Sequence, residues 1–253
     1  MGFTEIADRV WVDRQEWLDL NIVLVQGAAG LLLVDTTGAA RTARQLRDDV
    51  RRIAPTAPLL AVVNTHDHWD HIWGNGVLAG DAAQVISHEH AKVPSTHDFS
   101  SAKVLDLGDR AVELVHPGRG HTAGDLVIRV ADAEVLVAGD LVEESAPPAF
   151  GPDSFPLEWA ASLDVVLSLT TAATTVVPGH GGRVDRAFVE EQRAGIAVVA
   201  ETIRELAGRG VPPEQALTAA SWPFPPESLI DAVSRGYRHL PRGSLRLPLL
   251  GNA

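Results

Sequence analysis

Cysteine is absent from all 253 residues. That excludes disulfides, thiolate metal sites and thiol nucleophiles together, and leaves nitrogen and oxygen as the only strong metal ligands. No apolar run reaches the length needed to cross a bilayer, and the opening Met-Gly-Phe-Thr-Glu-Ile-Ala-Asp-Arg has no extended apolar core after a basic segment. A cytoplasmic protein without membrane contact is the expectation. Positive charge is in deficit, with 21 Lys and Arg against 33 Asp and Glu and a formal net charge of -12. Nucleic-acid binding depends on neutralising phosphates with Lys and Arg, so no nucleic-acid partner is expected, and a small-molecule substrate is. Internal repeats and low-complexity segments are also missing, and the 45% hydrophobic content fits an ordinary globular core.

What the chain has is a concentration of imidazoles and carboxylates. Asn64-Thr-His-Asp-His-Trp-Asp-His71 places His66, His68, Asp70 and His71 directly after the apolar run Leu59-Leu-Ala-Val-Val63. The run reads as a buried strand. In an extended segment residues two apart point the same way, so His66 and His68 can converge on one ion. Asp70 and His71 fall where the chain turns, placed to face a second ion close to the first. Imidazole with carboxylate suits zinc, iron or manganese.

Around this stretch the pattern is α/β. Ile6, Val10 and Val12 predict one opening strand over residues 4–14, and residues 20–25 and 30–34 predict a hairpin turning at Gly27-Ala-Ala-Gly30. Residues 38–53 have helical spacing, with Ala39, Ala43, Leu46, Val50 and Ile53 on one side, and form half of a β-α-β crossover. Residues 70–80 read as a short helix and residues 83–87 as a strand. Over residues 103–143, short strands separated by Gly108-Asp109, Pro117-Gly118 and Ala131-Asp132 have the signature of a second, antiparallel sheet. The stretch 145–156 is too rich in proline for regular structure. Helices are then expected over residues 157–169, 186–206, 212–220 and 228–238.

A strand ending in His-x-His-x-Asp-His resembles the central motif of the metallo-β-lactamase superfamily, and four further patterns resemble that family's motifs in order. Gly120-His121-Thr122 follows the strand-like Val112-Glu-Leu-Val115. Val135-Leu-Val-Ala-Gly-Asp140 is an apolar strand ending in an acid, Thr175-Val-Val-Pro-Gly-His180-Gly is the last motif, and Leu31-Leu-Leu-Val-Asp35 lies upstream. The resemblance implies an αββα sandwich of two mixed sheets flanked by helices. It further implies a single domain over residues 1–253, with a core at about 5–185 and a helical C-terminal extension at about 186–253.

By the same resemblance, His66, His68 and His121 hold a first metal, Asp70, His71 and His180 a second, and Asp140 bridges both together with a water. Asp35 orients a ligand histidine from outside. The implied chemistry is hydroxide generated between two divalent ions, zinc first, with iron or manganese also compatible. Asp140 and Asp70 are the implied catalytic acids, Asp70 or a metal-bound water returning the proton to the leaving group. The expected activity is hydrolysis of a small ester, thioester, lactone or amide. The missing cysteine ligand and secretion signal point away from a dedicated antibiotic-destroying β-lactamase, and the C-terminal helices lack assignable glutathione-contacting basic residues. The alternatives are a mononuclear iron oxygenase of the same fold, or a phosphodiesterase or nuclease, which the charge balance disfavours.

Other residues have plainer expectations. His88-Glu-His90 and His97 are read as structural or surface residues, His116 as a hydrogen-bonded structural histidine rather than a support for the site, and Glu143-Glu144 as a solvated loop edge. Trp17 either overhangs the substrate or packs on a sheet edge. Phe150 and Phe155 are candidates for an apolar pocket wall. Trp222, Phe224, Tyr237 and His239 are read as core packing rather than substrate contacts. Edge strands and apolar helices allow a homodimer without requiring one.

Overall fold

The structure, a computed structural model, describes residues 2–78 and 80–241. Residues 242–253, the end of the expected helical extension, and Ala79, inside the expected helix over 70–80, lie outside the described residues. Seven strands form the first sheet in sequence order: β1 (Thr4–Ala7), β2 (Val10–Arg14), β3 (Asn21–Gly27), β4 (Gly30–Val34), β5 (Leu59–Val63), β6 (Val85–His88) and β7 (His97–Phe99). The second sheet is built from β8 (Ala102–Asp106), β9 (Ala111–Val115), β10 (Val127–Val130), β11 (Val135–Glu143) and β12 (Thr175–His180), in the order β12-β11-β10-β9-β8.

Both sheets are mixed. Pairing is antiparallel from β1 to β4 and parallel from β4 to β7, while β11 pairs antiparallel with β10 and parallel with β12. The parallel β4–β5 step requires a crossover, supplied by α1 (Ala40–Ile53). Side chains alternate along each strand, and both faces are apolar. On β3, Val23 and Val25 enter the core between the sheets, while Ile22 and Leu24 pack outward with Leu46 and Val50 of α1. On β11, Val135 and Val137 face inward, and Leu136 and Ala138 pack outward among the remaining helices. Strands covered on both faces read as continuous apolar runs, as Leu31-Leu-Leu-Val34 does.

The outer layer on the second sheet comprises α4 (Trp159–Ser168), α5 (Arg186–Gly208), α6 (Pro213–Ala219) and α7 (Ile230–His239), which share one core. Trp222, Phe224 and Tyr237 pack against that core, as expected. Three local readings need correction. Residues 4–14 are two strands, because Asp8-Arg9 makes a tight turn with Arg9 at φ 54° and Ala7 opposite Val10. The motif stretch yields two one-turn helices, α2 (Trp69–Ile72) and α3 (Asn75–Leu78), broken at Trp73-Gly74. His97 begins the edge strand β7 instead of sitting in a loop.

The inter-sheet core joins the two sheets and should be sensitive to loss of volume. Leu114→Ala, at a fully buried position there, is expected to cost about 2–5 kcal/mol. Val104→Ala, 63% exposed on β8, should change stability by less than about 0.5 kcal/mol. Urea midpoints with unchanged m-values check both.

Candidate metal centre

Strand ends deliver the cluster. β5 stops at Val63, the segment Asn64–His68, bent at Thr65-His66, presents His66 and His68, and α2 turns Asp70 and His71 back toward them. β11 supplies Asp140 from the second sheet, and β12 supplies His180 next to it through the parallel pairing. His121 comes from the loop after β9. The sheets are joined here: the Asn21 side-chain amide donates to the carbonyls of Pro178 and Gly181, and Leu20 bridges to His180.

The seven expected residues fall into two groups, in each of which the candidate ligand atoms lie within 4.8 Å of one another. One contains His66, His68, His121 and Asp140, and the other Asp70, His71 and His180. Asp140 stands between them. Its Oδ2 lies 3.7 Å from His66 Nε2, 3.4 Å from His121 Nε2 and 3.5 Å from His180 Nε2, and its Oδ1 lies 3.2 Å from His71 Nε2. All seven residues expected as ligands are thus brought together. Gly179 makes the close approach feasible, since a Cβ there would collide with Asp140 Oδ1.

The donor set fits cations because every imidazole spends its proton on the outside. His71 Nδ1 donates to Asp35 at 2.8 Å, His121 Nδ1 to the Ala149 carbonyl at 3.0 Å and His180 Nδ1 to the Leu18 carbonyl at 2.7 Å. His66 Nδ1 donates to Thr65 Oγ1 at 3.0 Å, and His68 Nε2 donates to Asp153 at 3.1 Å. The remaining nitrogens point inward with lone pairs: His68 Nδ1 faces His121 Nε2 at 2.8 Å, and His71 Nε2 faces His180 Nε2 at 3.4 Å. Lone pairs at these separations repel unless a proton or a metal lies among them. His66 Nε2 and Asp140 Oδ1 are buried with no hydrogen-bond partner, the condition expected of atoms that await a metal.

Protons fill the gap when metal does not. Burial pushes His71 down, but Asp140 and Asp35 outweigh it and hold His71 at about 10. Burial likewise lowers His180, and hydrogen bonds to Asp140 and Asp70 overcome this to leave it at about 11. His121 is left at about 4, mainly by burial, and burial also takes His66 well below its usual value.

Asp35 lies against His71 and reaches Thr65 as well. It sits in the left-handed region at φ 61°, strain that a non-glycine residue retains only where its surroundings impose it. From there Oδ1 accepts from the Thr65 amide, while Oδ2 accepts from the Thr65 hydroxyl and His71. Through Thr65 it also orients His66.

Sequence reasoning missed three acids. Glu143 is not a solvated loop edge: as the last residue of β11, opposite His180, it is buried, and burial raises its carboxyl to about 7. It also groups with Asp140 and His180 within 4.8 Å. The apolar run ahead of it, which continues past Asp140 through Leu141 and Val142, was the available signal. Asp125 accepts from the Gly120 amide and from the amide and hydroxyl of Thr122, fixing the His121 loop; Thr-x-x-Asp spacing announces such a turn. Asp153, which orients His68 from the proline-rich stretch, has no local signal. His116 donates to the Asp125 carbonyl and stacks on His88 at 3.8 Å, a structural role as expected.

A cavity of about 820 Å³ opens over the cluster. Phe150 lines it, with Leu18, Trp69, Pro147, Pro148 and Ile230. Phe155 does not line it; that ring stacks with His239. Trp17 neither packs on a sheet edge nor lines the cavity. It tilts against Trp69 at 5.4 Å and stays 54% exposed.

The chain has relatives among known proteins. The family model described as the metallo-beta-lactamase superfamily matches residues 16–180. A type 2 metallo-beta-lactamase of Bacillus cereus is 26% identical over 205 residues, covering 75% of this chain and 80% of that protein. The alpha subunit of a 2,4-dinitroanisole O-demethylase from Nocardioides sp. (strain JS1661) is 26% identical over 193 residues, 72% of this chain and 58% of that protein. The solved metallo-beta-lactamase from Pontibacter korlensis superposes with a TM-score of 0.68 at 21% identity, covering 77% of this chain and 97% of that one, a likeness of fold.

Two outcomes are expected. Loading zinc into the metal-free protein near neutral pH should release two or more protons per chain, those on His71 and His180 and any lost from water at the ions, so affinity falls as pH falls; a pH indicator in weak buffer measures this. Asp35→Asn should weaken metal binding by about 10–100-fold, read by competition with a chromogenic chelator.

Proposed function

Since the chain belongs to the metallo-beta-lactamase superfamily, we propose that it is a hydrolase that works with two divalent metal ions, zinc in the first instance, and cleaves a small ester, thioester, lactone or amide. The observation that carries this reading is the pair of inward-facing ligand groups sharing Asp140. His66, His68 and His121 would hold one ion, Asp70, His71 and His180 the other, and Asp140 would serve both. Bound there, such ions supply Lewis acidity toward a carbonyl oxygen and a water acidified to near neutral pKa.

The chain's own residues do the rest. Asp35, Thr65, Asp153 and the carbonyls of Leu18 and Ala149 hold the imidazoles in one tautomer, so no ligand has to reorient during turnover. Burial raises the Asp70 carboxyl, but the hydrogen bond with His180 and the charge of His71 bring it below its ordinary value. It is therefore ionised at the cavity floor, the form in which a carboxylate holds a cation. Pro147, Pro148 and Phe150 offer an apolar surface for the acyl portion and exclude water from it.

Elemental analysis of protein purified without added metal, with hydrolysis of a panel of chromogenic esters, thioesters, lactones and β-lactams, tests the reading. About two zinc ions per chain are expected. Asp140→Asn should lower kcat/KM by about 100-fold or more, beyond the about 10–100-fold typical of outer partners of metal ligands. A single iron per chain with oxygen uptake and no hydrolysis would replace it with an oxygenase.

A further inference from the structure

A second cavity, of about 210 Å³, lies between the end of β2 and α1, on the outer face of the first sheet. Val10 and Val12 of β2 enter the inter-sheet core while Trp11 packs outward, so the strand period turns Asp13 outward too, opposite the outward-packed Ile22. Thr42, Gln45 and Asp49, at helical spacing along one side of α1, line the same cavity. Asp13 is 1% and Asp49 5% exposed. Burying a carboxylate costs free energy that a partner of opposite charge must offset.

The partners present offset only part of that cost. Asp13 Oδ2 accepts from the Gln15 side-chain amide at 2.5 Å, a neutral donor, and Asp13 Oδ1 is buried with no donor. Among the described residues one other carboxylate oxygen is in that state, Asp140 Oδ1 at the metal centre. Asp49 Oδ1 accepts from both Gln45 and Arg52, and no donor among the described residues reaches its Oδ2. Arg14 borders the cavity, but its guanidinium is held by Asp19. Left with one neutral donor, the Asp13 carboxyl is pushed by burial above its ordinary range.

The open positions in this cavity are oxygens. Gln15 and Gln45 spend N–H groups on the carboxylates, which leaves their side-chain carbonyls, and the Thr42 hydroxyl donates to Thr37 and Ala39, which leaves its lone pairs. Glu16 adds an acid at the exposed rim, and no histidine borders the cavity. A set of carboxylate and carbonyl oxygens with room for water suits a hard cation. It suits calcium better than magnesium, because calcium accepts roughly six to eight oxygens in flexible geometry. We propose that Asp13 and Asp49 form a calcium site separate from the metal centre, with Gln15, Gln45, Thr42 and water completing the shell. The site lies at the root of the loop over residues 15–20, which the Gln15 amide closes on the Leu20 carbonyl. Leu18 and Asp19 hold left-handed backbone there, at φ 64° and 56°, and the Leu18 carbonyl accepts from His180. An ion at this root ties the loop to α1 and steadies the acceptor of His180.

The test titrates the full-length, zinc-loaded protein with terbium(III), whose emission is sensitised by a nearby tryptophan; Trp17 borders the cavity. One saturable site is expected, displaced by calcium with a Kd of about 0.1–1 mM and by magnesium at least about 10-fold less readily. Asp13→Asn and Asp49→Asn, their folds checked by circular dichroism, should each weaken calcium binding by about 10-fold or more. Calcium at about twenty times Kd should raise the wild-type Tm by at least about 3 °C, a reading that needs no variant. Terbium binding of unchanged strength in one folded variant removes that carboxylate from the site, and unchanged binding in both overturns the site. Absence of saturable terbium binding and of a calcium shift in Tm also overturns it. An Asp13→Asn protein more stable than wild type would then show that Asp13 is held as the neutral acid.

Discussion

Repulsion among imidazole lone pairs is the constraint on which this site depends. Each histidine donates outward to a fixed acceptor, and the nitrogens left facing one another across a few ångströms can be reconciled only by cations between them or by protons. The metal-free protein chooses protons on His71 and His180, because Asp140, Asp70 and Asp35 reward positive charge there. His66 and His121, more strongly desolvated than compensated, stay neutral. One cluster therefore holds both imidazolium and imidazole.

The scaffold exists to keep those acceptors still. Asp35 accepts its bonds from a strained backbone position at the end of β4, and the parallel β4–β5 pairing sets its distance from Thr65 and His71. On the other sheet, the β11–β12 pairing carries Asp140 to His180, with Gly139 at φ 53° fitted over Thr65. Asn21 and Leu20 then tie the two sheets together at the site. A shift of either sheet would separate the two groups of ligands.

Above the cluster, the cavity wall belongs to the segments between and after the strands. The stretch between β11 and α4 brings prolines and Phe150, and also contributes Ala149 and Asp153, which orient His121 and His68. Wall and ligand support thus come from the same stretch of chain. The turn before α7 adds acids, so the helices after β12 contribute to the cavity through Glu227 and Asp231, while their aromatic residues serve the core.

Much of this was legible in the sequence because it rests on local periodicity and on motifs placed at strand ends. The layers follow from apolar runs such as Leu31–Val34 and from the helical spacing of residues 40–53. The seven clustered residues and Asp35 follow from motifs in the required order. The sequence by itself thus determined the sheets, the kinds of donor atom gathered at the strand ends and the family resemblance, since side-chain type and strand period are properties of the chain alone. Tertiary structure decided what depends on partners far apart in sequence. Glu143 is buried because β12 and α5 cover it, the Asp153–His68 bond spans 85 residues, and the backbone acceptors of His121 and His180 leave no trace in residue identity.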